Sequence, residues 1–324
     1  MQPSDLPPPT ELQATLDRLV ADGLAAPGCR PVPLTGGVDN HAFRVEGANG
    51  RELIVKVPVP GRIPRYAIAA WAATELAAAN VPVPVSLWQT DDFAVETLCP
   101  GRPLGSTTDR AVAVRAAEQA GMILRRIHSV PVTGYGRLRA DGSVEHTSIE
   151  AWLLRTPSQD SGHGLLHALT PVVTTALRVR APLVAGVSAR LLHGDWTARH
   201  VLHTDTTITG VIDLESVRGG DPLADVAGWS LQEPGYLTEA LASTYFTHPP
   251  EKHQRTVLAV YRVRIALFLL AFHASRGQED LVTLRGHQIA ADLQDLAAGQ
   301  PRLVPRILQL SATRTSPGPQ GVPR

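Results

Sequence analysis

The chain has 324 residues, with 30 Lys+Arg balanced by 30 Asp+Glu, 12 His and 44% apolar residues. That length and apolar content can bury one large core or two modest ones, which excludes disorder as the default state. Zero formal net charge argues against nucleic-acid and polybasic membrane-surface proteins, since both depend on clustered positive charge.

Cys29 and Cys99 are too few for a disulfide framework and suit a reducing compartment. The N-terminus, Met1-Gln2-Pro3-Ser4-Asp5, shows no basic segment followed by an apolar one. The most membrane-like run, Ile265 to Phe272, follows Arg262 and Arg264 and is far short of the roughly 20 residues a spanning helix needs. A soluble cytoplasmic protein with no nucleic-acid or membrane partner is the expectation. One compositional detail is sharper. Of the 30 basic residues, 28 are Arg, and only Lys56 and Lys252 are Lys. Lys56 stands inside the apolar run Leu53-Ile54-Val55-Lys56-Val57, a compact ammonium in a chain that otherwise uses planar guanidinium groups.

In chain order, a Pro-rich start gives way to an amphipathic helix over 11–24, with Leu12, Leu16, Leu19 and Val20 at helical spacing. Thr35-Gly36-Gly37-Val38-Asp39-Asn40 is a turn cluster, and strands over 41–46 and 52–57 flank a second turn at 47–50. The Ala-rich stretch 65–80 is helical and is stopped by Val81-Pro82-Val83-Pro84. Strands over 85–89 and 93–98 follow, separated by Thr90-Asp91-Asp92. Cys99-Pro100-Gly101-Arg102-Pro103 breaks the pattern and marks a boundary. Beyond it a long helix over 108–129 carries Val112, Ala116, Ala120, Ile123 and Ile127 on one face, and the Gly-rich 134–142 is a loop. Further helices are expected at 149–154, 165–179, 223–246, 255–275 and 286–297. The chain therefore divides into a sheet-rich lobe (1–98), a hinge (99–105), a mainly helical lobe (106–310) and a disordered tail (311–324), a two-lobed α+β protein.

The densest chemistry lies in Leu191-Leu192-His193-Gly194-Asp195-Trp196-Thr197-Ala198-Arg199-His200 and in Gly210-Val211-Ile212-Asp213-Leu214-Glu215. Apolar strands over 201–203 and 208–214 flank the polar turn Thr204–Thr207, which reads as a hairpin. His200 and Asp213 then fall equally far from its centre, facing one another at the open end. Opposed residues of this kind have Cβ atoms about 4.5–5.5 Å apart, close enough to share one metal ion. Asp195 lies just ahead on a loop. A carboxylate base beside a two-ligand metal clip is the equipment of phosphoryl transfer.

His193-Gly194-Asp195 followed by His200, then Asp213-Leu214-Glu215 and Gly220-Asp221-Pro222-Leu223-Ala224-Asp225, resembles the aminoglycoside and macrolide phosphotransferase (APH) family, whose fold is protein-kinase-like. The resemblance implies a small antiparallel N-lobe that binds ATP or GTP and a larger helical C-lobe that carries catalysis and the acceptor. It makes Asp195 the catalytic base and His200 and Asp213 the metal ligands. Gly36, Gly37 and Asn40 belong to the nucleotide-covering loop, Lys56 contacts the α/β-phosphates, and Glu96 and Leu98 lie in the hinge that holds the base edge. Glu215 is expected to support the metal shell from the same strand face as Asp213, His193 to brace the catalytic loop, and Asp225 to brace the same loop or cap the helix beginning at Pro222. The implied cofactor is Mg2+, or Mn2+ because the family's usual Asn is here His200, and imidazole suits softer metals.

The resemblance does not supply a helical carboxylate for Lys56: the 65–80 helix offers only Glu75, near its end. It implies a kinase acting on a hydroxyl of an antibiotic or related natural product, aminoglycoside, hygromycin-like or macrolide, and conferring resistance. A metabolite kinase of sugar, choline or homoserine type and an inactive kinase-fold binding protein are the alternatives. A protein kinase is disfavoured because Asp213 is followed by Leu-Glu and no Ala-Pro-Glu element occurs. Gly134-Tyr135-Gly136 resembles a turn of hygromycin-type kinases, whereas His200 resembles the macrolide kinases. Residues 106–310 carry 20 Lys+Arg and 19 Asp+Glu, so a polycationic acceptor would need a local acidic cluster such as Glu145, Glu150, Asp160, Glu233 and Glu239.

Overall fold

Strand alternation decides how the first lobe is built. The computed structural model describes residues 9–34, 37, 39–205 and 207–306; Gly36 of the expected nucleotide loop and the expected 311–324 tail lie outside them. Helix α1 (Pro9–Ala21) precedes β1 (Val32–Leu34), β2 (Asn40–Glu46) and β3 (Glu52–Pro58). Helix α2 (Tyr66–Ala78), β4 (Ser86–Gln89) and β5 (Ala94–Thr97) complete the lobe. The sheet is antiparallel throughout in the order β1-β2-β3-β5-β4. Leu53, Val55 and Val57 share one face and pack with Leu16 and Leu19 of α1, Phe93 and Val95. The period of two sends Lys56, and Glu96 on the neighbouring strand, to the opposite face. Arg18 of α1 clasps the sheet with its guanidinium 4.4 Å from the Trp88 ring centroid.

The second lobe begins with β6 (Arg102–Pro103) and α3 (Arg110–Ile127), whose first turn is capped by Asp109 accepting from the amides of Ala111 and Val112. It continues through β7 (Tyr135–Leu138), β8 (Val144–His146), α4 (Ile149–Leu154), α5 (Gly164–Arg180), β9 (Arg190–Leu192), β10 (Val201–His203), β11 (Ile208–Val211) and β12 (Arg218–Gly220). Helices α6 (Leu223–Gln232), α7 (Gly235–Tyr245), α8 (Lys252–Ala274) and α9 (Glu279–Ala297) close it. Two small sheets carry the site: β11-β10-β6, and β8-β7-β12-β9. Helix α2 packs its small residues Ala72 and Ala73 into the second lobe's core, so the lobes share apolar contacts beside the cleft.

Three expectations are corrected. The 134–142 stretch is not a plain loop, because Tyr135–Leu138 and Val144–His146 pair as a hairpin. The 223–246 helix is two, broken at Glu233-Pro234, where proline lacks the N–H that would continue the ladder. The strand expected over 208–214 ends at Val211, with consequences for Asp213 and Glu215 described below.

Helix α8 is the centre of the second lobe, buried against α5, α6 and α9. Its Arg262 is fully buried and grips Asp292 of α9 with Nε 2.9 Å and Nη2 2.6 Å from the carboxylate. Further Arg262 contacts reach the carbonyls of Arg302 and Leu303. A charge at that depth is tolerable only with its partner. Asp292→Ala should therefore lower the unfolding free energy by about 3–5 kcal/mol, while the double variant Arg262→Met/Asp292→Leu loses distinctly less, as read by urea denaturation.

Candidate active site

The loop between β9 and β10 is positioned by one buried carboxylate. Asp225, on the first turn of α6, accepts from the amides of His193 (2.8 Å) and Gly194 (3.0 Å) and meets His128 Nε2 at 3.2 Å. Burial opposes its ionisation, but the His128 contact and the two amides outweigh burial and hold its carboxyl below the usual range. Asp225 does not cap its own helix; Asp221 does, through the Leu223 amide. Gly194 has φ 79°, and a side chain there would strike the Ser216 carbonyl and Arg218, so the turn into Asp195 requires glycine. His193 is fully buried, accepting from the Asp195 amide at Nδ1 (3.3 Å) and donating from Nε2 to the Ile212 carbonyl (2.9 Å). It thereby spans the β9–β10 loop and the segment that follows β11.

Asp195 presents its carboxylate on this frame. Arg199 Nη2 lies 2.7 Å from Oδ2. Burial works against the charge, and the neighbouring His200 and Arg199 outweigh it, keeping the carboxyl below the ordinary Asp range. Asp213 is not on a strand: β11 has ended, and the residue adopts a left-handed conformation (φ 65°), uncommon for a residue with a side chain. The hairpin register is also one residue from the symmetric expectation, since Val201 pairs with Val211 and a bulge interrupts the ladder after Leu202. The left-handed turn nonetheless brings Asp213 Oδ2 to 3.1 Å from His200 Nε2.

The residues present fit a divalent cation. His200 Nδ1 donates to the Asp195 carbonyl (2.9 Å), which leaves Nε2 as the lone-pair nitrogen in the neutral ring. Burial, then the nearby His193, depress His200 to about 4, so that ring is neutral at pH 7. That lone pair accepts from Arg199 Nε (3.0 Å), with the Asp213 oxygen beside it, so a cation bound there would displace the guanidinium. Burial and the adjacent Glu215 charge push Asp213 up to about 8. Donor atoms of Asp195, His200 and Asp213 all lie within 4.8 Å of one another.

Glu215 does not share a strand face with Asp213. Residues 214–216 form a single 3-10 turn that carries Glu215 to Lys56, with Oε1 2.9 Å from Nζ. Glu96 reaches the same ammonium at 3.0 Å. Burial disfavours the Lys56 charge, but the two carboxylates outweigh it and raise its pKa. Burial likewise opposes ionisation of Glu215, and Lys56 overrides it and holds the carboxyl at about 2. The missing helical partner of Lys56 is therefore supplied by a hinge-strand residue and by the turn after Asp213. Arg65, just ahead of α2, joins the same node by donating to the carbonyls of Glu215 and Leu138 (the latter 2.9 Å). Asn40 accepts from the Tyr66 hydroxyl (2.7 Å), a side chain at Gly37 would strike the Asn40 carbonyl, and the Leu98 amide donates to Glu52 (3.2 Å). Cys99 is buried, which lifts its thiol to about 11.

Residues 31–251 match the phosphotransferase enzyme family, APH, and the chain belongs to that family. Among solved structures, a thermostable mutant of aminoglycoside phosphotransferase APH(4)-Ia in ternary complex with AMP-PNP and hygromycin B superposes with TM-score 0.73 at 19% identity, covering 87% of this chain and 98% of that one. A choline/ethanolamine kinase family protein from Mesorhizobium loti gives 0.62 at 18% identity over 93% and 99% of the two chains. Macrolide 2'-phosphotransferase from Brachybacterium faecium gives 0.57 at 20% identity over 88% and 98%. These likenesses show the kinase-like fold, with its antiparallel N-terminal sheet and helical C-terminal region.

Several site residues carry no motif signal of their own. Arg199 sits inside the His193–His200 run, and its i,i+4 spacing from Asp195 was the available hint. Arg218, against Gly194, and Glu233, which accepts from the Ala198 amide beneath the loop (2.8 Å), come from distant segments. The acids proposed as a cationic subsite do not gather. Glu145 is taken by Arg155 (3.7 Å), Glu233 lies under the loop, and Glu150, Asp160 and Glu239 are exposed on separate elements.

Lys56→Met leaves Glu96 and Glu215 buried without a cation, so it should cost about 3–5 kcal/mol and weaken nucleotide binding at least tenfold. Adding Glu215→Gln should recover part of the stability and none of the affinity, as measured by denaturation and AMP-PNP calorimetry.

Proposed function

We propose that this phosphotransferase acts in the cytoplasm, moving the γ-phosphoryl group of ATP, as the metal complex, to a hydroxyl of an antibiotic or related natural product. The observation that carries the reading is the convergence of Asp195, His200 and Asp213 within 4.8 Å, across the cleft from a Lys56 held charged between two glutamates. Asp195 accepts the acceptor hydroxyl's proton, and the His200 hydrogen bond to its carbonyl fixes the loop while that proton moves. Lys56 offers its ammonium to the phosphate oxygens, oriented by Glu96 and Glu215. Asp213 and His200, with Asp195 adjacent, would hold Mg2+ or Mn2+, which neutralises phosphate charge and aligns the transferred group. Support for ATP comes from the similarly folded phosphotransferase solved with AMP-PNP and hygromycin B. An antibiotic acceptor would make the enzyme a resistance determinant.

The test is a panel of hydroxylated antibiotics and metabolites incubated with ATP or GTP, read as the mass gain of one phosphoryl group. Asp195→Ala should reduce transfer by about 10²–10⁴-fold with AMP-PNP affinity nearly intact; equal loss of both would contradict the base assignment. His200→Asn replaces an imidazole with an oxygen donor and should raise activity with Mg2+ relative to Mn2+. An unchanged metal ratio would count against ligation by His200.

A further inference from the structure

The side of the cleft beyond Asp195 is built from arginines rather than acids. Arg137 of β7 and Arg218 of β12 are directly opposed cross-strand partners, so their side chains share one sheet face. Like charges in that register repel, and neither forms an ion pair among the described residues. Arg218 donates only from Nε, to the Ser216 carbonyl (3.2 Å), and packs against Gly194 beside the catalytic base. Arg264 of α8 is 5% exposed, with its guanidinium 4.0 Å from the Trp152 ring centroid and 4.6 Å from that of Phe268. Its hydrogen bonds go to the Trp152 carbonyl alone (3.0 and 3.3 Å), and no carboxylate pairs with it among the described residues. Arg155 lies over the other side of Phe268 and takes Glu145.

These groups feel one another. The charges of Arg218 and Arg155 add to burial in depressing Arg264 to about 9, and Arg137 and Arg218 add to burial in depressing Arg65. The carboxylates bearing on Arg218 are Asp225, Asp195 and Glu145. Each is committed elsewhere: Asp225 to two amides and His128, Asp195 to Arg199, and Glu145 to Arg155 and the Arg137 amide. A buried guanidinium without a counter-ion is costly, and two opposed in a sheet compound the cost, unless an anion visits. Planar guanidinium groups on rigid strands and a helix match the two-oxygen geometry of a carboxylate or phosphate.

We propose that the phosphoryl acceptor is itself anionic, a hydroxylated small molecule whose carboxylate or phosphate docks on Arg137 and Arg218 while its hydroxyl meets Asp195. The inference rests on the kinase reading above and sharpens it. A polycationic acceptor is disfavoured on this side of the cleft by the guanidinium groups of Arg137 and Arg218, which form no ion pair among the described residues.

Two arms test it. In the first, protein saturated with AMP-PNP and Mg2+, so that the nucleotide site is filled, is titrated with sulfate and separately with spermidine. Sulfate should raise the melting temperature and spermidine should not, and Arg137→Ser, at an exposed position that keeps the fold, should blunt the sulfate effect. In the second, acceptors are compared as charge-matched sets: polyhydroxylated carboxylates, sugar phosphates, and amino sugars. Anionic acceptors should show kcat/KM higher by about tenfold or more, and Arg137→Ser should narrow that ratio through KM. The better of the two anionic sets identifies the docking group. A preference for amino sugars, sulfate without effect, or a ratio untouched by Arg137→Ser overturns the proposal. Failure to bind AMP-PNP would instead overturn the kinase reading, which separates the two.

Discussion

A single ammonium group, Lys56 Nζ, holds together pieces of the protein that are far apart in sequence. Glu96 comes from the hinge strand, Glu215 from the turn after Asp213, and both approach within about 3 Å of it. A cation buried between two carboxylates is stable only while all three are present. That mutual dependence couples the position of the N-terminal sheet to the position of the turn at residues 213–216. Arg65 reinforces the coupling through the Glu215 carbonyl, so the turn is gripped from side chain and main chain together. The two lobes are thus registered at the point where nucleotide and metal would meet.

A second constraint works below the first. Asp225 anchors the amides that precede Asp195, His193 ties Asp195 to Ile212, and His200 returns to the Asp195 carbonyl. The loop is therefore built as a closed hydrogen-bonded circuit, and Asp195 at its tip has little freedom. Trp196 and Trp229, buried beneath it, remove the remaining slack. Preorganisation of this kind allows a carboxylate to accept a proton without first being repositioned.

Much of this was legible from residue order. The lone Lys56 in an apolar strand stood out, and His200 and Asp213 do meet, although through the left-handed turn after β11 and not through symmetric hairpin pairing. The local conformation was not legible, because nothing in Val211-Ile212-Asp213 announces a left-handed turn. That turn ended the strand early and sent Glu215 to Lys56 instead of the metal shell. The β7–β8 hairpin was hidden because its strands are short and its Gly residues mimic a loop. The arginine face was invisible for a different reason: residues 137, 155, 218 and 264 meet only through tertiary packing, and a neutral lobe charge conceals their clustering.

The scarcity of lysine has a practical side. Lys252 is exposed at the start of α8, whereas Lys56 is buried and kept protonated by its two glutamates. Amine-directed acylation needs a free, accessible base, so among side chains it would fall on Lys252 and pass over Lys56. The protein could in that way be tethered or fluorescently tagged by ordinary lysine chemistry at one side-chain site, the start of α8.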